Sequence, residues 1–373
     1  MSTVLHKMIA LTRSAFIAVI VLSCFTNLSA QHNDHNAKQG DESWQGEVEQ
    51  QEFKAGEMII EHITDAYEWH IITIGHTHVT VPLPIMLYDE GKFHFFMSSV
   101  FHHHDNYEGY FISHHEMNAG KIVRKDAAGE EVRPVLDFSF TKNVLAIFIS
   151  MFVLIFIFLS VAKAYKRREG MAPKGLQSFL EPVIIFVRDD IAKASIGEKK
   201  YRKYLPFLLT VFFFILINNL LGIVPFFPGG ANVTGNIGVT GVLALFTFII
   251  TTFSGNKAYW THIVNAPGVP WWLKIPIPLM PIVELMGVFT KPFVLMVRLF
   301  ANISAGHIII LGFISLIFIF GEISAGAGYG VAVVSVAFSI FMDVLEILVA
   351  FIQAYVFTLL SALYFGMATE EHH

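Results

Sequence analysis

The rhythm of hydrophobic and polar positions changes several times along this chain. Near the start, a short basic region with Lys7 and Arg13 leads into the apolar stretch AFIAVIVLSCF and then LSA before Gln31. An apolar core of about 11 residues is too short to cross a bilayer and has the length of a signal-peptide core. We expect residues 1–30 to be an export signal; a retained N-terminal anchor and lipid modification at Cys24 are the alternatives. The following QHNDHNAKQGDESWQGEVEQQE is polar throughout and reads as a linker without fixed structure. EWHIITIGHTHVTVPLPIMLY then alternates β-branched and polar residues with a period of two, which predicts strand. Asp89-Glu90-Gly91-Lys92 is turn chemistry, and FHFFMSS after it completes a hairpin. KIVRKDAAGEEVRPVLDF predicts a second hairpin, with its turn at Ala127–Gly129. Residues 31–136 are therefore expected to form a small β-rich domain.

From Val144 the pattern is that of membrane helices. VLAIFISMFVLIFIFLSVA (144–162) carries no charge over 19 residues, enough to cross ~30 Å of hydrocarbon. The stretches 205–227 and 237–253 predict two further spans, a hairpin around PGGANVTGN. Between the first span and this hairpin, GLQSFLEPVIIFVRDDIAKASIG mixes charge and apolar residues at helical spacing, as a helix lying along the membrane surface would. Two longer apolar stretches, 275–320 and 331–367, flank GEISAGAGYG. At 1.5 Å per residue they give helices of ~42 Å (counted after Pro292) and ~55 Å, too long for a perpendicular crossing and so expected to tilt. The expected fold class is an all-α polytopic membrane protein with five to six transmembrane helices, the last two long and strongly tilted, plus a small N-terminal β-rich periplasmic domain. The expected division is 1–30, 31–136 and 137–373.

Composition sharpens this reading. Charged residues make up 15% of the 373 positions, against about 25% for a soluble domain, which excludes a soluble enzyme. A single Cys excludes a disulfide framework and a Cys-built zinc site. The net charge of −5 averages two populations: residues 31–136 hold 18 Asp+Glu against 7 Lys+Arg, and residues 163–203 hold 11 Lys+Arg against 5 Asp+Glu. The positive-inside rule puts the basic loop in the cytoplasm and the β-rich domain in the periplasm, with the C-terminus cytoplasmic. Lys257, Trp260, Trp271, Trp272 and Lys274 mark the inner interface. No nucleotide-binding loop appears, no nucleic-acid partner is implied, and no cofactor is expected.

Twelve of the 17 His lie in residues 31–136. His102, His104 and His114 are weak metal candidates. Zinc needs three or four ligands converging on one point, neighbouring residues on a strand face opposite ways, and HExxH is absent. Surface histidines that add pH-sensitive charge are the plainer reading.

The informative charges are those inside the apolar stretches, because an ionisable residue in hydrocarbon is costly and marks a function by default. The first three spans have none. The last two hold Glu284, Lys291, Arg298, His307, Asp343 and Glu346. At roughly 100° per residue, Glu284, Lys291, Arg298 and Asn302 fall within about 40° of one another, and His307 lies about 180° from Arg298. Glu346 and Gln353 share a face of the final helix. Each has a plain alternative: Glu284 and Lys291 as an interfacial pair, His307 as a hydrogen-bonded bundle histidine, Asp343 as a water-facing acid. Arg298 resists one, since it cannot lose its proton and needs water or an acid partner. A fixed Arg lowers the pKa of a carboxylate that approaches it, and titratable His and Glu on the far face can relay protons. That is the logic of a stator for proton-coupled motion, driven by about 2.3 kcal/mol per charge per 100 mV.

KPFVLMVRLFANISAGH (291–307) strongly resembles subunit a of F-type ATP synthases, whose pattern is K-P-x-x-L-x-x-R-L-F-x-N-x-x-A-G-[E/H]. The resemblance extends over about 137–373, including SFTKNVL and NNLLGIVP. It implies that Arg298 is the essential stator charge facing a rotor carboxylate. It also implies that Asn302, His307, Glu346 and Gln353 line the proton path, with His307 and Glu346 in the outer half-channel and Glu284 in the inner one. The implied partners are the c-subunit rotor ring, the subunit b peripheral stalk, the whole F1Fo complex and membrane lipid. ATP chemistry falls to other subunits, and the implied location is the bacterial inner membrane. Many bacterial members carry Glu where this chain has His307 and His where it has Glu346. The exchange keeps one acid and one imidazole and suggests that the two sit together. Gly222 stands where some members carry Asp, which leaves Asn219 as the nearest polar candidate for the outer half-channel. The extension before residue 137 is not a core feature of that family. A rival reading, a stand-alone metal or cation transporter with a His-rich collecting domain, predicts intramembrane acids spread over several helices, often with repeat symmetry; here they occupy two consecutive stretches.

Overall fold

The computed structural model describes residues 55–74, 77–103, 106–113, 118, 120–126, 129–224, 227–264 and 279–370. The expected export signal, the linker after it, and Trp271, Trp272 and Lys274 lie outside the described residues. The chain falls into two compact units, residues 1–52 with 72–79, and residues 53–71 with 80–373. Of the first unit, only the facing ends of strands β1 (Glu68–Ile74) and β2 (Thr77–Pro82) are described, and these strands pair.

The second unit opens with helix α1 (Ala55–Ile63). Strands β3 (Pro84–Asp89) and β4 (Lys92–Met97) form an antiparallel hairpin running from Pro84 opposite Met97 to Asp89 opposite Lys92. Its two-residue turn puts Glu90 at φ 48° and Gly91 at φ 78°. Both turn positions need positive φ, which is why Gly follows the acid there. The single long alternation read from the sequence is in fact three strands, β1 to β3. Pro82 and Pro84 cannot donate to a ladder and mark the break between β2 and β3. Helix α2 (Val100–His103) follows, then a three-stranded sheet in the order β5 (Tyr110–Ile112), β6 (Ile122–Lys125), β7 (Glu131–Val132). The last strand, β8 (Leu136–Asp137), returns to the free edge of β3. Ile85 and Leu87 alternate inward on β3 and are wholly buried with Tyr67, Phe96, Tyr110 and Ile122.

Helix α3 (Lys142–Arg167) starts at Thr141, whose hydroxyl accepts from the Val144 amide, and ends on basic residues. A short helical run follows: α4 (Leu176–Phe186), a π-helical stretch (Val187–Lys193) and α5 (Ala194–Ile196). This run buries Val187, Ile191 and Ala192 completely and packs on α6 (Tyr201–Ile223) and α10 (Ala325–Thr369). Between those lie α7 (Ile237–Ser254), α8 (Lys257–Val264) and α9 (Leu279–Ile323). Among the described residues, five helices are long and apolar enough to cross a membrane: α3, α6, α7, α9 and α10. Phe152, Phe156 and Leu159 on α3 are 66%, 73% and 65% exposed, an apolar face suited to lipid rather than water.

The sequence pattern underestimated the last two helices. Each has 45 residues, about 68 Å of helix. GEISAGAGYG is not a ten-residue connection: only Ser324 interrupts the helices, and its hydroxyl caps α10 by accepting from Ala327. The glycines there serve contact between helices. A Cβ on Gly328 would come within 2.8 Å of the Gly321 Cα. The core joins α6, α9, α10 and the π-helical stretch through Leu208, Phe212, Leu295, Leu299, Phe357, Phe365, Val187 and Ile191, all 0–2% exposed.

Candidate functional site

Helix α9 runs unbroken through Pro292. One lost backbone bond is affordable where Val288, Leu295, Leu299 and Ile303 bury a continuous face of the same helix. That burial turns Arg298 and Asn302 to the exposed side. Among the described residues no carboxylate pairs with Arg298. Its stripe neighbour Lys291 is half-buried, with Nζ 5.8 Å above the ring of Tyr364 on α10. Glu284 is half-buried near α8, where burial first, and then the Glu284 charge, push the Tyr259 hydroxyl above its usual pKa. Lys291, Tyr259 and Tyr364 line a cleft with Thr247, Thr251 and Thr252.

The opposite side of α9 carries a close contact between two titratable groups. His307 Nδ1 lies 2.7 Å from Glu346 Oε1, at 16% and 5% exposure. The approach lacks the alignment of a directed hydrogen bond, and among the described residues Oε1 has no other hydrogen-bond partner. The contact is therefore an ionic approach whose strength depends on the imidazole proton. Gly306 makes room for it, since a Cβ there would stand 2.8 Å from Glu346 Oε1. A Cβ on Gly222 would stand 3.6 Å from His307 Nε2 and 3.4 Å from the Ala231 carbonyl oxygen. An acid at position 222 would thus reach the imidazole directly.

Asn219 is 3% exposed, and both its amide nitrogen and its oxygen are hydrogen-bonded. Its Nδ2 donates to the Ala350 carbonyl at 3.4 Å, and its Oδ1 accepts from the Thr234 hydroxyl. Gln353 is as buried as Glu346, one face of α10 holding both. Asp343 is half-buried three residues before Glu346. The structure thus brings His307 and Glu346 together, with Asn219 on the adjoining helix, and sets Arg298 and Asn302 on the exposed side.

Of the metal candidates, His102 lies in α2, a helical turn rather than the strand assumed from the sequence. His104 and His114 lie outside the described residues. Among the described residues, no three His, Cys, Asp or Glu side chains converge on a point.

Sequence reasoning missed the 231–235 segment, read only as a turn. Its Asn232 and Thr234 are 5% and 1% exposed. The Gly235 amide donates to Asn232 Oδ1 at 3.0 Å, and its carbonyl accepts from Ser304 on α9 at 3.3 Å. Asn and Thr in a connection between two apolar spans were the available signal.

A family model described as ATP synthase A chain matches residues 144–366. A second, described as a domain of unknown function (DUF8433), matches residues 58–138. The chain is 46% identical over 244 residues to ATP synthase subunit a of Chloroherpeton thalassium, covering 63% of this chain and 69% of that one. It is 45% identical over 273 residues to ATP synthase subunit a 2 of Prosthecochloris aestuarii, covering 70% and 79%. It is 42% identical over 284 residues to ATP synthase subunit a of Chlorobium phaeobacteroides, covering 72% and 78%.

Proposed function

Because the chain belongs to the ATP synthase A chain family, we propose that it is the proton-translocating stator subunit of the Fo sector, forming two aqueous half-channels on either side of Arg298. The observation that carries this reading is the opposition on α9: an exposed guanidinium on one side, and a half-buried imidazole against a buried carboxylate on the other. A guanidinium keeps its charge at any working pH. Facing the rotor ring of c subunits, Arg298 holds each arriving carboxylate ionised and denies cations a direct crossing, with Asn302 beside it.

His307 and Glu346, with Asn219 and Gln353, line the half-channel at the end where the extension lies. Asn218 Oδ1 and Asn232 Nδ2, both near that end, are buried without a hydrogen-bond partner among the described residues. Buried polar groups are almost always paired with protein or water, so these atoms are where path water belongs. Glu284 and the cleft of Thr251, Tyr259 and Lys291 form the other half-channel. In this arrangement residues 1–30 are the export signal, 31–136 a periplasmic domain and 137–373 the membrane domain, with the C-terminus cytoplasmic. Subunit b and the rotor ring are its partners within the F1Fo complex, and the chain has no catalytic site of its own.

The test separates this reading from a metal transporter. In the assembled complex, Glu346→Ala impairs ATP-driven proton uptake, and deletion of His102–His104 does not. Loss of transport on deleting the histidines, with Glu346→Ala silent, would favour the transporter.

A further inference from the structure

The extension before the membrane helices is held against them. The amide of Lys142 donates to the Ala66 carbonyl at 2.8 Å, and the amide of Asn143 to Asp65 Oδ1 at 3.0 Å. Residues 65–66 therefore cap the first turn of α3, which an N-terminal carboxylate also favours through the helix dipole. Three residues on, Trp69 is 3% exposed. It packs with Ala146 of α3 and with Ala231 and Val233 of the connection between α6 and α7. Its ring meets Phe227 edge-on, centroids 5.2 Å apart.

The far side of that same connection faces the proton path. Thr234 donates to Asn219, the Gly235 carbonyl accepts from Ser304, and the Ala231 carbonyl and His307 Nε2 both lie within 3.6 Å of the point where a Gly222 Cβ would stand. A Cβ on Gly235 would overlap the Asn232 side chain, so the loop has one way to fold. It is a thin wall with a tryptophan on one side and the site on the other. From this we infer that Trp69 is a positioning residue for proton translocation: it seats residues 231–235 so that their backbone and Thr234 fix the surroundings of His307 and Asn219. Residues 65–69 thereby acquire a function, that of bracing one wall of the half-channel.

The inference rests on the proton-path reading above. Seating works through dipoles: the Ala231 carbonyl and the Thr234 hydroxyl are oriented polar groups at the edge of the path, and displacing them alters the pH dependence of proton transfer through it. The charged or titratable groups facing the His307–Glu346 pair are on α10, where Asp343 is the neighbour; α6 and the loop present the neutral Asn219, Gly222, Asn232 and Thr234.

The experiment measures ATP synthesis by the whole complex in vesicles against the pH on the extension side, for Trp69→Ala, Trp69→Phe and Val233→Ala. The expected result is a displacement of the Trp69→Ala midpoint by about 0.5 to 1 pH unit, the size of an ordinary environmental shift, with Trp69→Phe returning it. Phe95→Ala, at a 70% exposed position of β4, leaves the profile unchanged. An intact Trp69→Ala complex whose rate falls at an unchanged midpoint would overturn the inference. If Trp69→Ala does not assemble, Val233→Ala decides by the same midpoint. Glu346→Gln serves as the reference. If it too keeps the wild-type profile, the proton-path reading itself fails; if it alters the profile while Trp69 and Val233 variants do not, only the positioning role fails.

Discussion

His307 Nδ1 approaches Glu346 Oε1 to 2.7 Å across α9 and α10, and the backbone of Gly306 forms the floor beneath that carboxylate. A methyl on Gly306 has nowhere to go, because its carbon would stand 2.8 Å from the same oxygen. Gly306→Ala is expected to displace Glu346 while leaving the helix intact, since Ala is the better helix former. Misplacing a proton-transfer group by about 1 Å costs up to about 100-fold. ATP-driven proton uptake by the assembled complex checks this, and an unimpaired rate would contradict the packing.

The exchanged pair makes a reciprocal prediction. His307→Ala leaves a carboxylate at 5% exposure without the imidazole beside it, and a buried polar group left without its partner costs about 1–3 kcal/mol. The swap His307→Glu with Glu346→His keeps one acid and one imidazole in contact. It is expected to recover much of the transport that each single exchange loses, with a coupling of about 1–3 kcal/mol in a double-mutant cycle. Strictly additive losses would show that the two groups act independently.

In the extension, Asp89 is 2% exposed and accepts from Arg124 Nε at 2.6 Å and from Tyr110 at 3.1 Å. Burial pushes its carboxyl up, but these two bonds and the Arg124 charge outweigh it and hold the group below the usual range. A carboxyl with a folded-state pKa below its unfolded value stabilises the fold fully above the unfolded value, about 3.9. That stabilisation is lost as pH falls through the folded value. Hydrogen exchange across β3 and β4 in the whole complex is expected to accelerate below about pH 4. Arg124→Gln should bring that acceleration to neutral pH.

At the other end of the helices, a Cβ on Gly366 would overlap the Ser195 carbonyl. The obstacle is backbone, which cannot swing aside. Gly366→Ala is therefore expected to separate α10 from α5 and to cost about 1–3 kcal/mol, as overpacking does. The thermal midpoint of the detergent-solubilised complex reads it.

Much of this was legible in the residues. The charge-free run after Val144, the basic loop and the spacing of Arg298 from His307 gave the class, the number of spans and the two-sided helix. Glycine was the recurrent misreading. At 321 and 328 it permits helices to touch, at 306 it accommodates a carboxylate, and at 235 it admits an asparagine. A sequence shows a glycine but not the neighbour that requires it, so GEISAGAGYG read as a loop and PGGANVTGN as a mere turn. The contact of Trp69 with Ala231 and Val233 joins residues over 160 positions apart, and no local pattern signals such a pairing.

The central claim is that Arg298 is the stator charge. Arg298→Ala in the assembled complex, followed by ATP-driven proton pumping into inverted vesicles, tests it most directly. The account predicts normal assembly and ATP hydrolysis with pumping abolished. Pumping at the wild-type rate would contradict it.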